Sequence, residues 1–140
     1  MSSELVWQII KNNNSFLVKR QGVQFSSEPS NLMNANTFKY SGLANYKSVG
    51  VNSAARGVRV TLKKAGKQQN PAKAQNATVI AKSRRQTSKS VANLVARATK
   101  YRPDLRAAAV ARASAIISSQ QPKKEKKTKE AKGARAQKKL

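Results

Sequence analysis

The stretch Lys100-Tyr-Arg-Pro-Asp-Leu-Arg-Ala-Ala-Ala-Val-Ala-Arg-Ala-Ser-Ala-Ile-Ile117 decides how the C-terminal third of this chain is built. Pro103 has its φ preset for a first helical turn and no amide to lose there, and Asp104 sets a carboxylate near the positive end of the dipole. A helix starts at this point. On a 3.6-residue repeat, Leu105, Ala109, Ala113 and Ile116 form an apolar band that Val110 and Ile117 widen, with Arg106 and Arg112 in or beside it. The opposite side carries Ala107, Ala111, Ser114 and Ser118, where an ordinary surface helix places Glu and Lys. Such a small-residue face suits a second body lying close to the backbone, and equally an alanine-rich core.

Working outward, the window Ser88 to Lys100 puts Val91, Leu94, Val95 and Ala98 at i, i+3, i+4 and i+7, with Lys89, Arg97 and Lys100 opposite. Arg84 and Arg85 precede it, and Tyr101-Arg102 turns the chain into the next helix. The result is a helix pair with a very short link, apolar on its seam and basic outside.

Toward the N-terminus, Ser2 or Ser3 caps a short helix carrying Leu5, Val6, Ile9 and Ile10 on one side, and Lys11-Asn-Asn-Asn14 ends it. Ser15–Arg20 and Val23–Ser27 are β-prone runs joined around Gln21-Gly22, which predicts a hairpin stopped at Glu28-Pro29. Thr37–Tyr40 and Lys47–Val51 flank a loop containing Gly42. Gly57–Lys63 alternates, with Val58, Val60 and Leu62 on one face and Arg59, Thr61 and Lys63 on the other. The expected fold class is α+β: a small, mostly antiparallel sheet with an N-terminal helix covering its apolar face, followed by the helix pair and a basic tail. Residues 1–121 read as one domain. Within it, 64–77, rich in Lys, Gln, Asn, Gly and Pro, reads as a flexible loop, with helix returning after Asn76. The segment 122–140 has almost no apolar residue and is expected to be disordered on its own.

Charge narrows the function. The chain has 140 residues, 29 Lys and Arg against 5 Asp and Glu, a formal charge of +24 and a pI near 11.4. At that charge copies repel, so a homo-oligomer is not expected and a polyanion is the expected partner. No Asp or Glu occurs between Glu28 and Asp104, so the cations there have few carboxylates to pair with and face phosphate instead. No apolar run approaches the roughly 20 residues that span a bilayer, and no signal peptide opens the chain. Without Cys or His, disulfides, thiolate metal sites and the commonest general base are missing. The glycines form no phosphate loop. Neither an enzyme nor a cofactor, metal or small-molecule substrate is expected.

Three basic groups stand out. Arg56, Arg59, Lys63, Lys64 and Lys67 form a strand-and-loop patch; Arg84, Arg85, Lys89, Arg97, Lys100, Arg102 and Arg106 form a helical patch; the tail is the third. With Arg112, these are the candidate phosphate contacts to a nucleic acid, the arginines being suited to forked contacts on phosphate oxygens. Phe38, Tyr40, Tyr46 and Tyr101 either stack on unpaired bases or fill the core. No zinc finger, leucine zipper or aromatic single-strand-reading motif is present.

The segments Leu5-Val-Trp7, Asn13–Lys19, Phe25–Leu32, Phe38–Asn45 and Lys100–Ile116 together resemble the eukaryotic L-twenty-eight-e family of large-subunit ribosomal proteins. The likeness runs in order to about Gln121 and is faint between Asn52 and Gln86. It implies a eukaryotic source and a cytosolic ribosome component, passing through the nucleolus during assembly. It also implies binding to ribosomal RNA beside neighbouring ribosomal proteins, and no catalytic role. A nucleolar ribosome-assembly factor with a related domain is the near alternative. A linker-histone-like chromatin protein is the far one, suggested by the Lys- and Ala-rich tail.

Overall fold

A computed structural model describes residues 2–67, 70–97 and 101–122, so the basic tail beyond Pro122 lies outside the described residues, as does Ala98. Helix α1 (Ser3–Ile10) starts at Ser2, whose hydroxyl accepts from the Leu5 amide at 3.3 Å. Strands β1 (Leu17–Arg20) and β2 (Val23–Ser26) form an antiparallel hairpin. Its two turn residues, Gln21 and Gly22, both have positive φ, which matches the right-handed twist of the flanking strands.

The second sheet is separate and three-stranded, in the order β3 (Val49–Ser53), β4 (Val58–Lys63), β5 (Gln75–Ile80), all antiparallel. The alternation expected in β4 holds: Val58 and Val60 are fully buried, while Arg59 on the other face is exposed. Three expectations are corrected. Residues 75–77 belong to β5 rather than to a loop, and strand rather than helix follows Asn76; the β-branched run Thr78-Val79-Ile80 outweighs the polar residues before it. The preceding stretch holds two 3₁₀ turns, Ala65–Lys67 and Pro71–Lys73. Thr37–Tyr40 forms turns, with the amides of Tyr40 and Ser41 both donating to the Thr37 carbonyl.

The third correction concerns what covers the sheet. Helix α1 buries none of its residues, and its docking is peripheral: Trp7 meets Phe38 at 6.1 Å between ring centroids, and Asn36 Nδ2 donates to the Lys11 carbonyl. The cover is helix α3 (Arg106–Gln120), entered through the 3₁₀ turn Pro103–Leu105. Leu105, Ala109, Ala113 and Ile117 face Val49, Val51, Val58, Val60 and Ile80 in one core. Ile117, rather than Ile116, is therefore the innermost residue of the last turn. Small Ala109 and Ala113 let the helix lie close on a valine-rich sheet. Helix α2 (Arg84–Ala92) packs on α3 and adds Val91, and the π-helical turn Asn93–Arg97 adds Val95, both fully buried.

The far end of α3 is locked to the β3–β4 turn. Gln120 Nε2 donates to Ser53 Oγ, the Ala54 carbonyl and the Gly57 carbonyl, and its Oε1 accepts from the Gly57 amide at 3.0 Å. Gly57 has φ +80°, and a Cβ there would collide with the Ile80 carbonyl.

Replacing Leu105 by Ala is expected to cost about 2–5 kcal/mol in denaturant unfolding, because the cavity opens at the helix–sheet contact. Val79→Thr, on the open face of β5, should stay within about 0.5 kcal/mol of the parent. Equal losses in the two variants would show that the core is not where the packing puts it.

Candidate nucleic-acid interface

The chain's cations sort into two populations once folded. The first is held internally, and its partners are backbone carbonyls. Arg112, half-buried on α3, donates from Nε to the Val51 carbonyl at 2.8 Å and from Nη1 to the Leu32 carbonyl at 2.9 Å and the Asn31 carbonyl at 3.3 Å. Its Nη1 also lies 3.1 Å from Asn34 Oδ1. It thus covers the edge strand β3 and ties the 31–34 loop to the helix. Arg102 donates to the Lys47 and Lys39 carbonyls at 2.9 and 3.0 Å and forks onto Asp104 at 2.9 and 2.6 Å. Lys63 Nζ donates to the Gly42 and Asn45 carbonyls at 3.0 and 3.1 Å. Burial pushes the Lys63 ammonium below the usual lysine range, an effect the nearby Glu28 carboxylate opposes.

Tyr101 sits in the same network. Its hydroxyl donates to the Lys63 and Ser48 carbonyls, its ring packs against the core, and burial raises its pKa. That places it as a packing residue. Tyr40 also packs on the core, under the Lys39 ammonium 5.5 Å from its ring centroid.

The second population is exposed and has few carboxylates near it. Among the described residues one ion pair forms, Arg102–Asp104, so the charges elsewhere stay uncompensated. Arg56 comes from the β3–β4 turn and Lys82 from the β5–α2 link. Both line a cleft of about 380 Å³ with Ser83 and the last turn of α3. Arg84 and Arg85 stand exposed in the first turn of α2, next to that cleft. A helix N-terminus favours anions, so two arginines and a lysine there are in local conflict with the dipole. An external anion relieves that conflict.

A second concavity, about 710 Å³, runs between α2 and α3, bordered by Lys89 and Arg106 and floored by Ala92, Ala96, Ala107 and Val110. Of the small residues of the α3 outer face, Ala107 thus lies in the floor of a groove with a cation on each helix. Lys64, Lys67 and Lys73 are exposed on the β4–β5 connection, and Arg59 is exposed on the outer face of β4. The side chain of Arg97 and the whole of Lys100 lie outside the described residues.

The structure therefore joins Arg56 to the α2 terminus, across what the sequence divides into two patches, and adds Lys82 and Lys73. The signal for Lys82 was its place two residues before the Arg84-Arg85 pair. Among the described residues, no group of three or more acids or other ligating side chains is arranged to hold a metal ion, and no helix is long and apolar enough to cross a membrane.

An α+β fold with uncompensated cations around two concavities defines a basic, polyanion-facing protein. Residues 5–119 match the Ribosomal L28e protein family, and the chain belongs to that family. It is 49% identical over 130 residues to the large ribosomal subunit protein eL28 of Schizosaccharomyces pombe, covering 89% of this chain and 96% of that protein. The protein of the same name from Dictyostelium discoideum is 42% identical over 113 residues, 80% of this chain and 83% of that one. That of Caenorhabditis elegans is 44% identical over 84 residues, 59% of this chain and 65% of that one.

Two outcomes check the internal population. Arg112→Lys and Arg112→Ala should each cost about 1–3 kcal/mol in unfolding, because neither reproduces the fork that satisfies the Val51 and Leu32 carbonyls. The hydrogen bonds from Arg102 hold the Asp104 carboxyl below the usual aspartate range. A depressed folded-state pKa contributes stability above the unfolded value that is lost as pH falls through the folded one. Melting temperature should therefore hold from neutral pH to the ordinary aspartate range and fall below it. Asp104→Asn should flatten that part of the curve at a cost of about 0.2–1 kcal/mol at pH 7, small because the pair is partly exposed.

Proposed function

We propose that this chain is a structural constituent of the large subunit of the eukaryotic cytosolic ribosome, and that it binds and stabilises folded ribosomal RNA. Its partners in this reading are ribosomal RNA and neighbouring ribosomal proteins, its site is the cytoplasmic ribosome after nucleolar assembly, and its role is not catalytic. The observation that carries the RNA contact is the cleft at the α2 terminus, lined by Arg56 and Lys82 with no carboxylate, and followed by the exposed Arg84 and Arg85. Backbone phosphate supplies the missing negative charge, and the positive end of the helix adds to the attraction. Membership of the L28e family supports the ribosomal setting.

Direct phosphate contacts are proposed for Arg56, Arg59, Lys64, Arg84, Arg85, Lys89 and Arg106, joined by Lys73 and Lys82. Arg97 and Lys100 stay in the proposal on sequence grounds. Lys63, Arg102 and Arg112 hold the loops and helix in place; Arg102 is paired with Asp104, while the carbonyl partners of Lys63 and Arg112 leave their charge to add to the field.

If about 10 phosphates are neutralised, affinity for structured large-subunit RNA should fall by roughly three to five decades between 50 and 200 mM salt. Arg84→Ala with Arg85→Ala should lower the salt slope by about two, one per lost contact, while leaving the melting temperature unchanged. An unchanged slope would remove the α2 terminus from the interface. In cell extracts, co-sedimentation with mature large subunits and polysomes is expected. Restriction to nucleolar precursors would establish the assembly-factor role instead, and recovery with chromatin the linker-histone one.

A further inference from the structure

A third cavity, of about 300 Å³, opens on the outer face of the second sheet, away from both concavities described above. It lies where the loop after β2 and the loop around Gly42 meet the end of β4 and the start of β5. Its apolar walls come from Pro29, Leu43 and Ala74, and its polar side chains are Glu28, Ser30, Ser48, Lys63 and Gln75.

Glu28, Lys63 and Ser48 each have capacity left. Glu28 is 4% exposed, and neutral donors hold its carboxylate: the Gly42 amide at 2.7 Å on Oε2, and Ser41 Oγ and Asn14 Nδ2 at 3.4 and 3.5 Å on Oε1. Carboxylate oxygens accept about four hydrogen bonds, so acceptor sites remain. Lys63 Nζ spends two of its three protons on the Gly42 and Asn45 carbonyls. Ser48 is 3% exposed, and its Oγ is a buried side-chain oxygen with no hydrogen-bond partner among the described residues. A buried hydroxyl without a partner costs about 1–3 kcal/mol. Such a hydroxyl is ordinarily met by a water or by a ligand atom.

We infer that this cavity receives a single unstacked nucleobase of the bound RNA, guanine best of the four. The inference rests on the RNA reading above. Flat apolar walls with a few converging polar groups suit a base. An acceptor beside a donor matches the N1–H and N2–H edge of guanine on Glu28 and its O6 on Lys63. Lys64 follows Lys63 and Lys73 precedes Ala74 at the rim, so the phosphates flanking an inserted base meet two exposed ammonium groups. The same positive rim disfavours the other obvious occupant, an arginine from a neighbouring protein, which would also face Lys63.

The test is an NMR titration of the full chain with GMP, AMP, CMP, UMP and inorganic phosphate, each to millimolar levels, following backbone amides. GMP is expected to shift Gly42, Ser48 and Gln75 saturably, whereas phosphate alone leaves these three in place. Ser48→Ala should weaken the GMP response about tenfold, the loss of one hydrogen bond, without lowering the melting temperature. Leu43→Trp, at the exposed rim, should abolish the response. If no nucleotide moves the three amides while structured RNA still binds with a steep salt dependence, the base pocket is wrong and the RNA reading stands. If salt-dependent RNA binding is lost as well, both fall. Saturation by an arginine-containing tripeptide, with no response to nucleotides, would assign the cavity to a protein neighbour and overturn the inference.

Discussion

Carbonyl oxygens do in this fold what carboxylates do in most. With 29 basic residues and 5 acids, the chain has too few acids to pair with its cations. It anchors Arg112 and Lys63 on backbone carbonyls, and Arg102 on two carbonyls besides Asp104. Each is fixed where a loop would otherwise leave carbonyls unsatisfied, so one side chain settles several buried acceptors at once. Arg112 is the most consequential, because it joins α3, the free edge of β3 and the 31–34 loop. A carboxylate in its place would repel the carbonyls, and an alkyl chain would leave them unpaired in a part-buried site.

This solution has an electrostatic corollary. A salt bridge cancels charge, whereas a carbonyl only orients it. Arg112 and Lys63 therefore strengthen the fold and still contribute to the positive field that surrounds the outer cations. The α2 terminus shows the same economy from the other side. Two arginines occupy the helix end where acids are normally preferred, a local violation of helix rules. In the groove between α2 and α3, small alanines allow the floor to be shallow enough for cations on the two helices to border one surface.

Much of the fold was legible in sequence because its signals are local. Pro103 marked the start of the last helical segment, the alternation of Val58, Val60 and Leu62 marked β4, and Gln21-Gly22 marked a turn. What escaped depends on contacts across the chain. β5 hid behind a Lys- and Gln-rich approach, although Thr78-Val79-Ile80 carried a β-branched signal. Adjacency in sequence made α1 the obvious cover for the sheet, but it fully buries none of its residues and leaves Leu5 at 50% and Ile9 at 63% exposure, while α3 arrives from far along the chain. The division of cations into anchors and exposed groups was not readable at all. An arginine that binds carbonyls and one that is free for phosphate have the same side chain and similar neighbours in sequence, and only the fold separates them.

The lock between Gln120 and the β3–β4 turn, 63 residues apart at Gly57, sets a schedule for the chain's own synthesis. The valine-rich inner face of that hairpin emerges long before α3 does, and it stays bare until residues 105–120 have been made. For that interval the nascent chain carries an apolar sheet face of the kind that associates with other chains. Its company is an excess of lysine and arginine, and mutual repulsion between copies keeps such faces apart. The chain's excess of positive charge thus also serves as its protection before it can fold.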